Sequence, residues 1–533
     1  MEKNVIFGGQ QGQGTNKSSA LFSEILAEHG YYSFRYRDYG SLIEGGHTFS
    51  VVKFSDSNVS SHDKKVDILI AHDEETVEKH KERVKDDGRV FKVFEEVNKK
   101  ELGRSFNIFS LGMLSKYYGL SKKTCLKVLE NSLSKGWKDN KKAFEKGYSA
   151  IETVEELSTR DQDIVIMSGS HGISKGAVEA GLDVYLAYPM TPATPVLHIL
   201  AGMEDEKDLI TYQLENELSV VNAALGASHT GAKSMVGTSG GGYDLMQEAT
   251  SMQGISEIPL VVYLSQRAGA GSGVPTYTEQ GDLEVALKGG HGTFPRVVMA
   301  PGDAKECIRA SNELIHLSEH YRVLSILLGD KHVAESDYSF SGSVETFEVE
   351  NNIDQRIVEG DYPNYQVTES GNSPRSVPGL NVVKSTSYEH DEFGVTVEDP
   401  EKVEKMVEKR IRKSESLKEA VSQFTTYKVH GDKSSDTLLI GWGSTKGVLK
   451  DVAEKEGYKF LQLIYLKPFP AEVKEIIEDA ETVKVVENNS EGLLVDYLRE
   501  KTCISLDEEN KVLKYNGRPF RYDELVERIG GGK

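Results

Sequence analysis

Thr191, Glu217 and Arg267 are the side chains of this 533-residue sequence whose types and settings suit chemistry on a small anion. Arg267 is a permanent cation, and its planar fork of N–H donors matches a carboxylate. Thr191 offers a hydroxyl inside YPMTPATP, where Pro189, Pro192 and Pro195 stiffen the backbone on both sides of it. Glu217 opens a small-residue run, and the positive end of a helix favours a carboxylate there by about 0.3–1 kcal/mol. The run Ser239–Gly242, SGGG, supplies a turn tight enough for backbone N–H groups to approach a ligand. Together these groups describe a carboxylate-binding cleft. Each also has a purely structural reading: a surface ion pair, a helix-dipole contact, a tight turn and an ordinary strand-to-helix connection.

The elements that must position them follow from the hydrophobic pattern. Val184–Ala187 has the length and the β-branched and aromatic character of a buried strand, which the prolines terminate. Ligands bind at such carboxyl ends of strands in open α/β sheets. Asp163–Met167, Ser234–Thr238, Pro259–Gln266, Arg296–Ala300 and Val323–Leu328 read as further strands, with helices at Leu218–Ser228 and Ala304–Glu319, so residues 163–335 are expected to form a doubly wound domain. Ahead of it, Asn4–Gly14 runs from a strand into a glycine-rich loop before a helix over Thr15–Gly30. Gly9, Gly12 and Gly14 give G-x-x-G-x-G, the reverse of the dinucleotide fingerprint, so the loop is either an anion site or a set of tight-turn glycines.

Residues 1–150 read as one α/β domain and 151–162 as a linker, with an exposed, lysine- and glutamate-rich helix from Trp137. Residues 336–422 are a long excursion followed by a charged amphipathic helix, Val403–Ser422. An excursion of that length is functional or packed across a neighbour. Residues 423–533 form a smaller α/β domain with strands at Thr437–Gly441, Phe460–Tyr465 and Thr482–Val486. The expected fold class is therefore α/β and multi-domain.

Composition narrows the function classes. A net charge of −21 argues against nucleic-acid binding, and no apolar run approaches the ~18 residues of a membrane span. The amino-terminal residues lack the long apolar region of a signal peptide, so a cytoplasmic protein is expected. Cys125, Cys307 and Cys503 are too scattered for a disulfide framework, a zinc module or an iron–sulfur cluster. No HExxH or comparable spacing marks a metal site in this chain.

The motifs in order resemble the 2-oxoacid:ferredoxin oxidoreductases, specifically an alpha subunit with a gamma domain fused at its amino terminus. They are FGGQQGQG and SLIEGGH, then YPMTPATP, ENE, TSGGG with LMQEA, QRAGAGSGVPT and QGDL, then SPRSVPG, EHDEFG, MVEKRIRK, GWGST, LKPFP and VVENNSEGLL. The resemblance spans nearly the whole chain. It implies a gamma-type first domain, a pyrimidine-binding-type second domain and a transketolase-C-like last one. It also implies thiamine diphosphate, coenzyme A and ferredoxin, with 2-oxoglutarate slightly favoured over pyruvate. Carried over by motif, Glu217 is the carboxylate on the aminopyrimidine of the cofactor, and Thr191 and Arg267 hold the substrate carboxylate. No GDG occurs in the chain, so a separate beta subunit is expected to bring the Mg²⁺–diphosphate pocket and the 4Fe–4S cluster, in a heterodimer or a dimer of heterodimers. Gly241 stands where the family has proline, which implies a more flexible loop; Glu44 stands where it has arginine, which reverses a charge; Met190 and Ala193 also depart from it. The competing reading is a non-catalytic nucleotide-binding or scaffold subunit using the Gly9–Gly14 loop.

Overall fold

A computed structural model describes residues 1–40, 45–133 and 135–530, and within them the α/β elements gather into three sheets. Ser41–Glu44 of the SLIEGGH motif, with the Glu44 departure, lie outside the described residues.

The middle sheet positions the candidate site. Its strand order is Tyr465–Lys467, Arg296–Met299, Leu324–Asp330, Leu260–Gln266, Ser234–Thr238, Val184–Ala187, Ile210–Gln213. All neighbours are parallel except the first pair. Leu260–Gln266 and Leu324–Asp330 are buried at every position, as expected for strands covered by helices on both faces. From Val184–Ala187 the chain moves out to the edge strand Ile210–Gln213, then returns across to Ser234–Thr238 on the other side. That reversal opens a crevice at the carboxyl ends of the strands.

The first sheet is mixed, ordered Val84–Lys92, Val66–Ala71, Glu2–Gln10, His47–Ser55, Tyr32–Tyr39, Asp337–Phe340, Val165–Ser168. Its last two strands come from the far ends of the segment that carries the middle sheet, and they pair antiparallel with each other. The strand expected near Asp163–Met167 thus exists, shifted to Val165–Ser168, but joins this sheet and not the doubly wound one. Phe460–Tyr465 is likewise divided: Lys459–Leu463 pairs in the third sheet, and Tyr465–Lys467 pairs with Arg296–Met299. The third sheet runs Tyr427–Gly431, Lys459–Leu463, Thr437–Trp442, Thr482–Glu487, Lys511–Leu513.

Two segments behave differently from their composition. The helix Trp137–Tyr148 is not simply exposed, because Ala143, Phe144 and Gly147 are buried against Phe106–Tyr117. A Cβ on Gly112 would lie 2.1 Å from the Phe144 carbonyl oxygen, and one on Gly147 would lie 2.0 Å from that of Phe109, so glycine on both helices permits the close approach. The long excursion opens with the strand Asp337–Phe340 and from there to the helix Pro400–Val421 holds only isolated bridges, yet it packs across the middle unit. Arg375 pairs with Glu319 at 2.9 Å, and Tyr365 Oη donates to the Ser256 carbonyl at 3.2 Å.

The charged helix Pro400–Val421 is fastened through a buried carboxylate. Glu257, with φ of 50°, ends the helix Gln247–Ser256 and is only 2% exposed. Lys409 Nζ donates to it at 2.6 Å, Lys413 Nζ binds its other oxygen, and Arg322 Nε donates to its backbone carbonyl at 3.0 Å. Burial alone would raise the Glu257 carboxyl pKa, but Lys409, Lys413 and Arg322 together hold it well below the usual carboxylate range. Glu257→Ala strands two buried ammonium groups and is expected to cost about 3–5 kcal/mol in urea unfolding, whereas Lys413→Met, which leaves the Glu257–Lys409 pair, costs much less.

Candidate active site

The carboxyl ends of four adjacent strands bring Thr191, Glu217, SGGG and Arg267 to one edge of the middle sheet. Thr191 lies in the turn after Val184–Ala187, with a cis Thr191–Pro192 peptide, and Pro195 sits in the first turn of the following helix, Thr194–Ala201. Arg267 directly follows Leu260–Gln266, and its Nη1 donates to the Thr191 carbonyl at 3.4 Å across the end of Ser234–Thr238. The bond goes to the Thr191 backbone, which leaves the hydroxyl on the same turn free of it. Arg267 Nη2 donates to the Gly271 carbonyl at 3.4 Å, and its buried Nε has no partner among the described residues. Partial burial lowers the guanidinium pKa below its ordinary value, while Asp282 and Glu217 act to raise it.

Glu217 opens the helix Glu217–His229 and is 6% exposed despite its charge. Asn216 caps that helix, its side-chain oxygen accepting from Ser219 N at 2.9 Å. Such a cap leaves the first-turn carboxylate facing inward, near the positive end of the helix. The neighbouring backbone is SGGG, and here the structure corrects the expected loop: Gly240–Leu245 is a helix that starts directly after Ser239, without a side-chain capping bond, and Gln247–Ser256 is a second one. A Cβ on Gly242 would lie 2.2 Å from Thr238 Oγ1 and 2.9 Å from both Cγ and Oε1 of Glu217. The bare glycine is therefore what lets a carboxylate occupy this position.

A cavity of about 320 Å³ opens beside Arg267, lined by Gly240, Gly241, Asp244, Glu279 and Asp282. Burial, reinforced by Asp244 and Glu279, pushes the Asp282 carboxyl up to about 6. Its backbone N donates to Gln266 Oε1 at 2.9 Å, which ties the loop back to the end of the Arg267 strand. Sequence reasoning missed these three carboxylates, although TEQGD within a glycine-rich loop just past a buried strand is the pattern that could have marked two of them. Among the described residues no group of three or more His, Cys, Asp or Glu is arranged to hold a metal ion, and no helix is long and apolar enough to cross a membrane.

The two helix-start glycines Gly241 and Gly242 make a discriminating pair. Gly242→Ala forces Thr238 or Glu217 to move and is expected to cost about 1–3 kcal/mol in urea unfolding. Gly241→Ala, whose added Cβ would meet only the Gly271 carbonyl oxygen at 3.6 Å, should leave the unfolding midpoint nearly unchanged.

Comparison with known proteins agrees with this layout. A family model described as "Pyruvate flavodoxin/ferredoxin oxidoreductase, thiamine diP-bdg" matches residues 175–409, and one described as "Pyruvate ferredoxin/flavodoxin oxidoreductase" matches residues 4–97. The 2-oxoacid:ferredoxin oxidoreductase subunit alpha of a Sulfolobus species is 30% identical over 99% of this chain and 96% of its own length. Subunit alpha of 2-oxoacid:ferredoxin oxidoreductase 1 from Sulfurisphaera tokodaii is also 30% identical, over 99% and 97%. The solved structure of 2-oxoglutarate:ferredoxin oxidoreductase from Magnetococcus marinus, with 2-oxoglutarate, coenzyme A and succinyl-CoA bound, superposes with a TM-score of 0.89 at 27% identity over 99% of both chains. The α/β, multi-domain fold expected from the motifs is thus the observed one, and the chain belongs to the alpha subunits of the 2-oxoacid:ferredoxin oxidoreductases, with a thiamine diphosphate-binding domain in its middle.

Proposed function

We propose that this chain is the fused gamma–alpha subunit of an enzyme that oxidatively decarboxylates a 2-oxoacid, 2-oxoglutarate ahead of pyruvate, forming the acyl-coenzyme A and passing electrons to ferredoxin. The observation that carries this reading is the convergence of Arg267, the Thr191 turn and the buried Glu217 at one crevice. The preference for 2-oxoglutarate is supported by the 2-oxoglutarate seen in the Magnetococcus marinus enzyme.

The residues present suit one half of thiamine diphosphate. A carboxylate held buried at a helix start by the bare Gly242 is a group suited to hydrogen-bond the aminopyrimidine ring at Glu217. The diphosphate half has no GDG loop in this chain, so a beta subunit with Mg²⁺ and a 4Fe–4S cluster is expected to supply it, in a heterodimer or a dimer of heterodimers in the cytoplasm. Buried Cys125 and Cys307 and exposed Cys503 offer no cluster ligands of their own, which suits that division.

When bound, the cofactor supplies the electron sink for decarboxylation. Glu217 holds a proton at the aminopyrimidine nitrogen and so sets the tautomer. Arg267 binds and orients the 2-oxoacid carboxylate by charge, and the Thr191 hydroxyl completes that contact. The Arg267–Thr191 bond keeps these two groups in fixed relation before substrate arrives, which lowers the ordering cost of binding.

Two measurements test this. The purified chain alone should show no coenzyme A-dependent viologen or ferredoxin reduction with 2-oxoglutarate, and adding the beta subunit should restore it; strong activity from the single chain would refute the divided site. In the assembled enzyme Glu217→Gln should lower kcat by about 10²-fold or more with little change in KM, and Arg267→Gln should instead raise KM strongly.

A further inference from the structure

A cavity of about 560 Å³ lies where the three sheets meet, well away from Glu217. Tyr32 contributes from one end of the strand Tyr32–Tyr39. The other end of that strand faces the Arg267 loop, since Arg518 both pairs with Asp38 at 3.2 Å and stacks on Tyr277. A strand of that length separates the two places by roughly 25 Å, and none of Thr191, Glu217 and Arg267 lines this cavity.

Its wall carries four lysines, Lys305, Lys428, Lys446 and Lys450, against Asp56 and Asp303. The acids are already answered: Asp303 pairs with Lys446, and Asp56 pairs with the Met1 amino group at 3.0 Å and faces Arg160 at 3.8 Å. Lys446 and Lys428 are also committed, lying 2.7 and 3.5 Å from Glu306. Two ammonium groups are left over. Lys305 makes no ion pair among the described residues and sits 5.8 Å over the Phe340 ring. Lys450 has only Glu454, at 3.8 Å and half-exposed. Lys305 and Lys450 thus line one cavity with one unpaired and one loosely paired ammonium group, an asset for an anion.

The polar lining defines which anion. Ser57 and Ser341 bring hydroxyls into the same wall, Tyr32 Oη donates to Ser341 Oγ at 3.2 Å, and Ser60 Oγ donates to Asn58 Oδ1 at 3.1 Å. The unpaired Lys305 and the loosely paired Lys450 together match the two charges of a phosphate monoester better than the single charge of a carboxylate, and hydroxyl donors suit the additional phosphate oxygens. The volume lies in the range of small-molecule sites, which span about 300–1,000 Å³. We propose that this cavity is a second small-molecule site that takes a phosphorylated metabolite, with the phosphate held by Lys305 and Lys450. Because its wall is drawn from all three sheets, a ligand there ties them together. The proposal does not depend on the reaction at Glu217.

Isothermal titration of the full chain with inorganic phosphate, AMP and acetate tests it. Phosphate and AMP should bind with a Kd in the range of about 1 mM or tighter and acetate at least tenfold more weakly. The double variant Lys305→Gln/Lys450→Gln should lose at least tenfold in phosphate affinity, while Lys305→Arg/Lys450→Arg keeps it, with circular dichroism showing both folded. Phosphate binding that the glutamine pair leaves unchanged, absence of binding by the folded wild type, or acetate binding as well as phosphate would each overturn the assignment.

Discussion

Glu217 can be buried in this protein because Gly242 has no side chain. The helix that begins at Glu217 and the one that begins at Gly240 meet at a spacing that a single methyl group would break. The positive end of the Glu217 helix offsets part of the desolvation of the carboxylate, and Arg267 adds a favourable charge nearby. These terms explain how a carboxyl side chain sits at 6% exposure with no ion pair among the described residues. The remaining features of the crevice depend on this contact, since it fixes how the end of Ser234–Thr238 leaves the sheet and therefore what lies between Thr191 and Arg267.

The three sheets are held as one body by strands exchanged between them. Val165–Ser168 and Asp337–Phe340 bracket the segment that builds the middle sheet, yet both hydrogen-bond in the first, and Tyr465–Lys467 leaves the third sheet to edge the second. Backbone ladders of this kind cannot open without exposing unpaired N–H and C=O groups. Buried polar contacts reinforce them: Ser61 Oγ donates to Asp451 at 2.6 Å, and Ser444 hydrogen-bonds Asp330 at the end of a central strand. Burial pushes the Asp330 carboxyl up to about 6 despite that bond, a measure of how dry the junction is.

Much of the middle sheet was legible because its strands are fully buried. A parallel strand covered on both faces shows as a continuous apolar run, so Leu260–Gln266, Leu324–Asp330 and Ser234–Thr238 stand out from sequence to within a residue or two. Ile210–Gln213 carries no such signal. It is an edge strand with Ile210 and Tyr212 largely exposed, and its existence depends on pairing with Val184–Ala187. The divided run Phe460–Tyr465 was illegible for a related reason: an apolar pattern states that residues are buried, not which sheet buries them.

The residue types at the crevice were settled by the sequence alone. A fixed cation past a buried strand, a hydroxyl in a proline-stiffened turn and a carboxylate at a helix start are local facts of chain chemistry, as is the lack of a GDG loop. Tertiary structure decided that these residues meet. Thr191 and Arg267 are 76 positions apart and touch only because the chain reverses its direction of travel across the sheet. It also decided that SGGG is the first turn of a helix and that Asp244, Glu279 and Asp282 share a cavity. Proximity of this kind is set by strand order and by which backbones can approach most closely, and both are properties of the packed whole, not of any single segment.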